Sequence, residues 1–150
     1  MRGLIACVII TAFVLAYAVP PTGAAMMAAD LKKELQTAMY HASELAQRGD
    51  SVATSKLHVQ HVINCLEGPN GADFKAAAGY PCQGQGNGVI PDLNDAVAAK
   101  TAGADVALKE AKLALKLAVD AMTMTTVTEV QPWARVCAQH LKAALNALGS

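Results

Sequence analysis

Apolar residues recur at intervals of three and four along most of this 150-residue chain, which is the spacing of one face of an α-helix. No stretch alternates apolar and polar residues for long enough to indicate a β-strand. The chain contains 31 alanines, so its apolar positions are filled mainly by small residues that favour helix. The sequence therefore predicts an all-α fold.

Turn and capping residues divide this pattern into four helices. Gly49 ends the first, Asp50 or Ser51 caps the second, and Gly103 is a weak point inside the third. Thr128 and Gln131 are expected to cap the last helix. The four helices are expected at about residues 30–48, 51–67, 91–122 and 128–148. One tight turn and one long loop between amphipathic helices predict a four-helix bundle.

The N-terminal segment has the three parts of a secretory signal peptide: a positive start, an apolar run and a stretch of helix breakers and small residues. The apolar run, Leu4 to Val19, is shorter than the roughly 20 residues that span a bilayer as a helix. We therefore expect residues 1–25 to be a signal peptide and residues 26–150 to be a periplasmic or secreted domain that leaves the membrane after cleavage. A retained N-terminal anchor is the alternative.

The chain carries 12 basic and 12 acidic side chains. A nucleic-acid-binding surface needs an excess of Lys and Arg to neutralise phosphates, so this balance argues against a nucleic-acid partner.

Three cysteines remain once Cys7 has left with the signal peptide: Cys65, Cys82 and Cys137. In an oxidising compartment they allow one intramolecular disulfide and one free thiol. We favour Cys65–Cys82, because this pair flanks a Gly-rich loop. Six of the eleven glycines lie in residues 68–88, a stretch that is long for a compact domain. A bridge from Cys137 to either of the others stays open. If left over, Cys137 is expected to be a buried small apolar residue.

Three histidines are expected to lie at one level of the hairpin formed by the first two helices. His41 and His58 are each about eight residues, or about 12 Å, from the turn at Gly49. His61 follows His58 by three residues, on a neighbouring face of the same helix. Two such ligands on one helix and a third on its neighbour suit copper, nickel or zinc. Since all three lie at the edge of the apolar faces or beyond, we expect a rim site with an open position; the alternative is three exposed histidines at similar heights by chance.

Two other residues are candidate ligands. Cys65 lies one turn beyond His61 and would join the site if its thiol were free, so this interpretation competes with the disulfide. His140 lies in the apolar face of the last helix. It is expected to be a core-facing histidine with a polar partner, with a metal ligand or an axial haem ligand as alternatives. Residues 137–140 lack the Cys-x-x-Cys-His pattern, which excludes covalent haem.

No enzyme motif is found in the sequence. The segment from Gly84 to Gly88 follows no strand and lacks Lys-Ser/Thr, so it is not a nucleotide loop. A thiol nucleophile formed by Cys137 with His140 would lack oxyanion donors. Four glutamates are predicted to lie on solvated faces, with no carboxylate pair for acid–base chemistry: Glu34, Glu44, Glu67 and Glu110. We therefore expect a non-enzyme.

Segments 58–68 (HVQHVINCLEG) and 79–86 (GYPCQGQG) resemble a pattern in uncharacterised exported bacterial helical-bundle proteins. The histidine-bearing helices are similar to small periplasmic metal-binding bundle proteins. Ala29-Asp30-Leu31 also resembles the soluble b-type cytochromes, which ligate haem with a Met on the first helix and a His on the last. That resemblance implies His140 as one ligand, whereas Leu35 occupies the position of the Met.

Two functions follow from these patterns. The first is an exported bundle that binds a transition metal ion through His58, His61 and His41. The second is a non-catalytic envelope protein, structural or interacting, that contacts a protein partner through the loop of residues 68–91. A b-type haem-binding bundle is a third alternative.

Overall fold

The structure is a computed structural model that describes residues 23–149, with side chains described from Asp30 onward apart from Leu45. The expected signal peptide lies outside the described residues, except for residues 23–25. Within residues 23–149, no helix is both long enough and apolar enough to cross a membrane.

The described chain forms five α-helices and contains no strand, which confirms the all-α prediction. The helices are α1 (Gly23–Tyr40), α2 (Val52–Glu67), α3 (Val89–Ala98), α4 (Ala104–Ala121) and α5 (Val127–Ala147). A π-helical turn, His41–Leu45, continues α1, and a 3₁₀ turn, Ala76–Ala78, interrupts the loop between α2 and α3.

The expected third helix is divided into α3 and α4, so the prediction of one helix over residues 91–122 was wrong. Lys100 has a φ of 57° and Gly103 a φ of 77°, and a right-handed helix cannot continue through left-handed residues. Gly103 also lies against the Ala147 backbone, where a Cβ atom would clash. The weak point at Gly103 is therefore a complete break.

The starting points of the first and last helices also differ from expectation. The first helix begins at Gly23 instead of Asp30. The last helix is capped by Thr126, which accepts a hydrogen bond from the Glu129 backbone, while the Glu129 side chain accepts one from the Thr126 backbone. This reciprocal pair satisfies two free N–H groups of the first turn, and it replaces the expected pair of Thr128 and Gln131.

The buried apolar residues come from all five helices. α4 packs along α5 and also against α2, while α1 packs against both α2 and α5. The buried face of α4 consists of alanine alone: Ala104, Ala107, Ala111, Ala114, Ala118 and Ala121. Because alanine ends at Cβ, its neighbours can approach the α4 backbone closely, and Val59 and Val62 of α2 lie beside Ala118 and Ala121.

The loop of residues 68–88 lies against α2. The sulfur atoms of Cys65 and Cys82 lie 2.05 Å apart, within the bonding distance of a disulfide. The Lys75 backbone and the Ala78 carbonyl also lie within hydrogen-bonding distance of Asn64 and His61 of α2. The loop therefore runs along the side of α2 that carries His61.

Cys137 is free and buried, and its thiol donates a hydrogen bond to the Ala114 carbonyl at 3.4 Å.

Candidate metal centre

The hairpin of α1 and α2 brings His41, His58 and His61 together, as the sequence predicted. Ser51 caps α2, with its hydroxyl oxygen accepting a hydrogen bond from the Thr54 backbone at 3.1 Å. One nitrogen of each imidazole lies within 4.8 Å of one nitrogen of each of the others. The three side chains are therefore close enough to hold a single metal ion.

The Nδ1 atoms are the ones that converge. Nδ1 of His41 lies 3.4 Å from Nδ1 of His58 and 3.3 Å from Nδ1 of His61. Two nitrogen atoms that each lie about 2.0–2.1 Å from a tetrahedral metal ion are separated by about 3.3 Å. Both distances therefore fit nitrogen ligands of one tetrahedral ion.

The protonation of His61 is set by a backbone group. Its Nε2 lies 2.6 Å from the Ala78 carbonyl oxygen, which can only accept a hydrogen bond. Nε2 therefore carries the proton, and Nδ1 of the neutral ring keeps its lone pair, directed at His41. Metal-binding histidines in proteins commonly have this arrangement, in which the second ring nitrogen donates to a carbonyl.

The surroundings favour neutral imidazoles at His41 and His58. Burial, with smaller contributions from the neighbouring His61 and His58, lowers the pKa of His41 to about 4. Burial also lowers the pKa of His58, with a smaller contribution from His61. Neutral imidazole is the form that coordinates a metal ion, so these rings do not need to lose a proton before binding one at neutral pH.

His41 begins the π-helical turn that continues α1. The Ala46 backbone N–H donates to the His41 carbonyl at 2.9 Å, which is the bond across five residues that defines this turn. Ala42 and Ala46 remain buried in the core while the His41 ring contacts the two rings of α2. Short π-helical turns inside α-helices often lie at functional sites.

Sequence reasoning missed the groups that support His61. The Ala78 carbonyl is a backbone atom and leaves no signal in the sequence. The side chain of Asn64 is hydrogen-bonded to the carbonyls of Lys75 and Gly79, on either side of the turn that contains Ala78. Asn64 did leave a signal in the sequence, because this polar residue, which is fully buried, interrupts the apolar run between Val62 and Leu66.

The two additional candidate ligands lie apart from the three histidines. The Cys65 sulfur is paired with that of Cys82, so it is not available to a metal ion. Nδ1 of His140 is hydrogen-bonded to the Glu110 carboxylate of α4 at 2.6 Å. His140 therefore has the polar partner expected of a core-facing histidine.

Glu34 was predicted to lie on a solvated face, and this prediction was wrong. Its side chain is fully buried, and Oε1 accepts a hydrogen bond from the Gly88 backbone at 3.2 Å. Burial, together with the nearby carboxylate of Asp92, raises the pKa of Glu34 to about 8. The Glu110 carboxylate is hydrogen-bonded to His140, whereas Glu44 forms a surface ion pair with Arg48 at 3.1 Å.

Comparison of the chain with models of protein families, with curated proteins and with solved structures finds no match.

Proposed function

We propose that this chain is a small exported helical-bundle protein that binds one transition metal ion, copper, nickel or zinc, through His41, His58 and His61. The observation that carries the proposal is the convergence of the three Nδ1 atoms, with separations of 3.4 and 3.3 Å from His41 to the other two. Imidazole nitrogen is a preferred ligand of all three metals.

The electrostatics of the cluster support this proposal. His61 directs an Nδ1 lone pair at His41, because its Nε2 proton is held by Ala78. Neutral imidazole nitrogens that face one another at these distances repel unless a proton or a cation lies between them. In the metal-free protein a neutral His41 can supply this proton from its own Nδ1–H, and a metal ion can take its place. The lowered pKa of His41, about 4, keeps the ring in the neutral form that binds a metal ion.

Three protein ligands leave a tetrahedral ion with one open position. All three rings are partly exposed, and His58 lines an open cleft of about 380 Å³ between the π-helical turn and the start of α2. The fourth position can therefore be taken by water or an exchangeable ligand. Such accessibility fits a protein that takes up and releases its metal ion better than one with a sealed structural site.

The proposed scaffold is a four-helix bundle of α1, α2, α4 and α5, with α3 as a short fifth helix beside α1 and α4. In this scaffold the Cys65–Cys82 bond staples the loop to α2; the loop ends at residue 88, because residues 89–91 form the first turn of α3. Export is proposed from the N-terminal sequence pattern, and a disulfide is compatible with an oxidising compartment.

One observation favours the second function, an envelope protein that binds a partner through the loop of residues 68–91. The Phe74 and Tyr80 rings pack edge to face, with centroids 5.5 Å apart, along an open groove of about 510 Å³. If the loop binds a partner, Phe74→Ala will weaken partner capture and leave metal binding intact.

The proposed function is tested by metal content and metal titration of the purified protein. We expect near-stoichiometric copper, nickel or zinc, by mass spectrometry or after addition, in the unaltered chain. The variant His58→Ala/His61→Ala should lose it, because two of the three ligands are gone. The expected loss of affinity exceeds the 10–100-fold that follows removal of an outer-shell partner.

His140→Ala is the matched control, since it removes a histidine that lies outside the cluster. It should bind metal as the unaltered chain does, and circular dichroism should show that all variants remain helical. An unaltered chain that refuses copper, nickel and zinc would overturn the proposal. Equal binding by the His58→Ala/His61→Ala variant would do the same.

A further inference from the structure

We propose that Asn64 is a positioning residue for the metal site. Its side-chain amide holds residues 75–79 against α2, so that the Ala78 carbonyl stays within hydrogen-bonding distance of His61. This inference rests on the proposed function and deepens it by assigning a role to a residue that is not one of the three histidines.

The Asn64 amide is fully buried and is hydrogen-bonded on both sides. Its Nδ2 donates to the carbonyls of Lys75 at 2.9 Å and Gly79 at 2.6 Å. Its Oδ1 accepts from the Lys75 backbone N–H at 2.9 Å and from Nε2 of Gln60 at 3.0 Å. Both donors of the amide are therefore used, as are both lone pairs of its oxygen.

These contacts clamp the 3₁₀ turn Ala76–Ala78 at its two ends. Lys75 precedes the turn and Gly79 follows it, so the carbonyl of Ala78 lies between two fixed points. Gln60 adds a further tie, because its Nε2 also donates to the Asp73 carbonyl at 2.9 Å. The turn cannot move away from α2 without breaking several buried hydrogen bonds.

The clamp acts on the metal site through one hydrogen bond. The Ala78 carbonyl fixes the tautomer and the orientation of the His61 ring. Loss of such an outer-shell partner typically lowers metal affinity 10–100-fold. An amide is required at position 64, because the loop offers it two carbonyl acceptors and one N–H donor. A side chain that only donates or only accepts hydrogen bonds would leave some of these groups without a partner.

The experiment compares Asn64→Ala with the unaltered chain by two readouts. The first is Zn²⁺ affinity, measured by competition with a chromophoric chelator, and we expect it to fall 10–100-fold. The second is the tautomer of His61 in the metal-free protein, read from long-range ¹H–¹⁵N spectra. We expect an Nε2–H tautomer in the unaltered chain and a tautomeric mixture in the variant.

Val130→Ala is the matched control, because it removes buried volume from α5 and leaves every hydrogen bond of the turn in place. It should keep both the affinity and the tautomer. Asn64→Asp is the second variant in case Asn64→Ala fails to fold; it keeps the shape and the acceptor contacts and loses donation to the two carbonyls, and it should show the same losses.

The two proposals fail in different ways. If the unaltered chain binds no metal, the proposed function is wrong, while the tautomer of His61 still decides the role of Asn64. If metal binds and both Asn64 variants keep the affinity and the tautomer, Asn64 has no positioning role. An equal loss in Val130→Ala would also overturn the inference, because the effect would then be general destabilisation.

Discussion

Between pH 5 and pH 9 the free energy of unfolding is expected to fall by roughly 3–5 kcal/mol because of one side chain, Glu34. Burial and the neighbouring Asp92 raise the pKa of Glu34 from 4.5 to about 8 in the folded protein. The folded state therefore binds a proton that the unfolded state releases above pH 4.5. This contribution is fully present below about pH 4.5 and is lost as the pH rises towards 8, at about 1.4 kcal/mol for each pKa unit.

The carboxyl group of Glu34 lies among groups that oppose its ionisation. Asp92 is held in place by the backbone and side-chain N–H groups of Asn87, at 3.1 and 3.0 Å, and its negative charge raises the pKa of Glu34. The charge of Asp30 raises the pKa of Glu34 by a smaller amount, and the hydrogen bond from the Gly88 N–H lowers it in part. Burial, followed by the carboxyl groups of Glu34 and Asp92, raises the pKa of Tyr80 to about 12, so its hydroxyl stays neutral across this range.

Glu34→Gln isolates this effect, because glutamine keeps the shape and the acceptor for Gly88 but cannot ionise. We expect chemical denaturation at pH 5, 7 and 9 to give a flatter profile for the variant, and higher stability than the unaltered chain at pH 9. Glu44→Gln is the control, since Glu44 pairs with Arg48 at the surface. Parallel profiles for Glu34→Gln and the unaltered chain would contradict the prediction.

Loss of the Cys65–Cys82 bond is expected to lower the free energy of unfolding by about 3 kcal/mol. The two cysteines are 17 residues apart, and closing a loop of this length restricts the unfolded chain by about that amount. Both side chains are also fully buried, so a substitution leaves some empty volume in the core.

Urea unfolding with and without a reductant measures this contribution. The unaltered chain should lose about 3 kcal/mol in the reductant, whereas Cys65→Ala/Cys82→Ala should be unaffected by it. Cys137→Ala removes the free cysteine and should respond to the reductant as the unaltered chain does. If reductant leaves the unaltered chain unchanged, the bond contributes nothing to stability.

The convergence of the histidines was predictable because it needs only short-range information. Gly49 fixes the turn, the rise of an α-helix gives equal heights to His41 and His58, and a step of three residues adds His61. A register error of one residue changes the height of a ligand by only about 1.5 Å but turns it by about 100° about the helix axis, so the sequence predicts the level of the three histidines better than the faces on which they lie.

The missed features depend on where a loop lies in three dimensions. Glu34 has the spacing of an edge residue on its helix, and it is buried because the loop at Gly88 and the start of α3 cover it. The Ala78 carbonyl reaches His61 for the same reason. No periodic pattern records the path of a glycine-rich loop, so neither contact could be read from the chain.

The π-helical turn at His41–Leu45 separates the placement of His41 from the packing of α1. Because each hydrogen bond of a π-helix spans one residue more than in an α-helix, the turn accommodates one extra residue while α1 keeps its apolar face toward the core. If one residue were deleted within the turn and an ordinary α-helical turn formed, the buried residues Leu31, Leu35 and Ala38 would keep their orientation. The change would fall on the turn that begins with His41, so the histidine cluster could be altered in this chain without disturbing its hydrophobic interior.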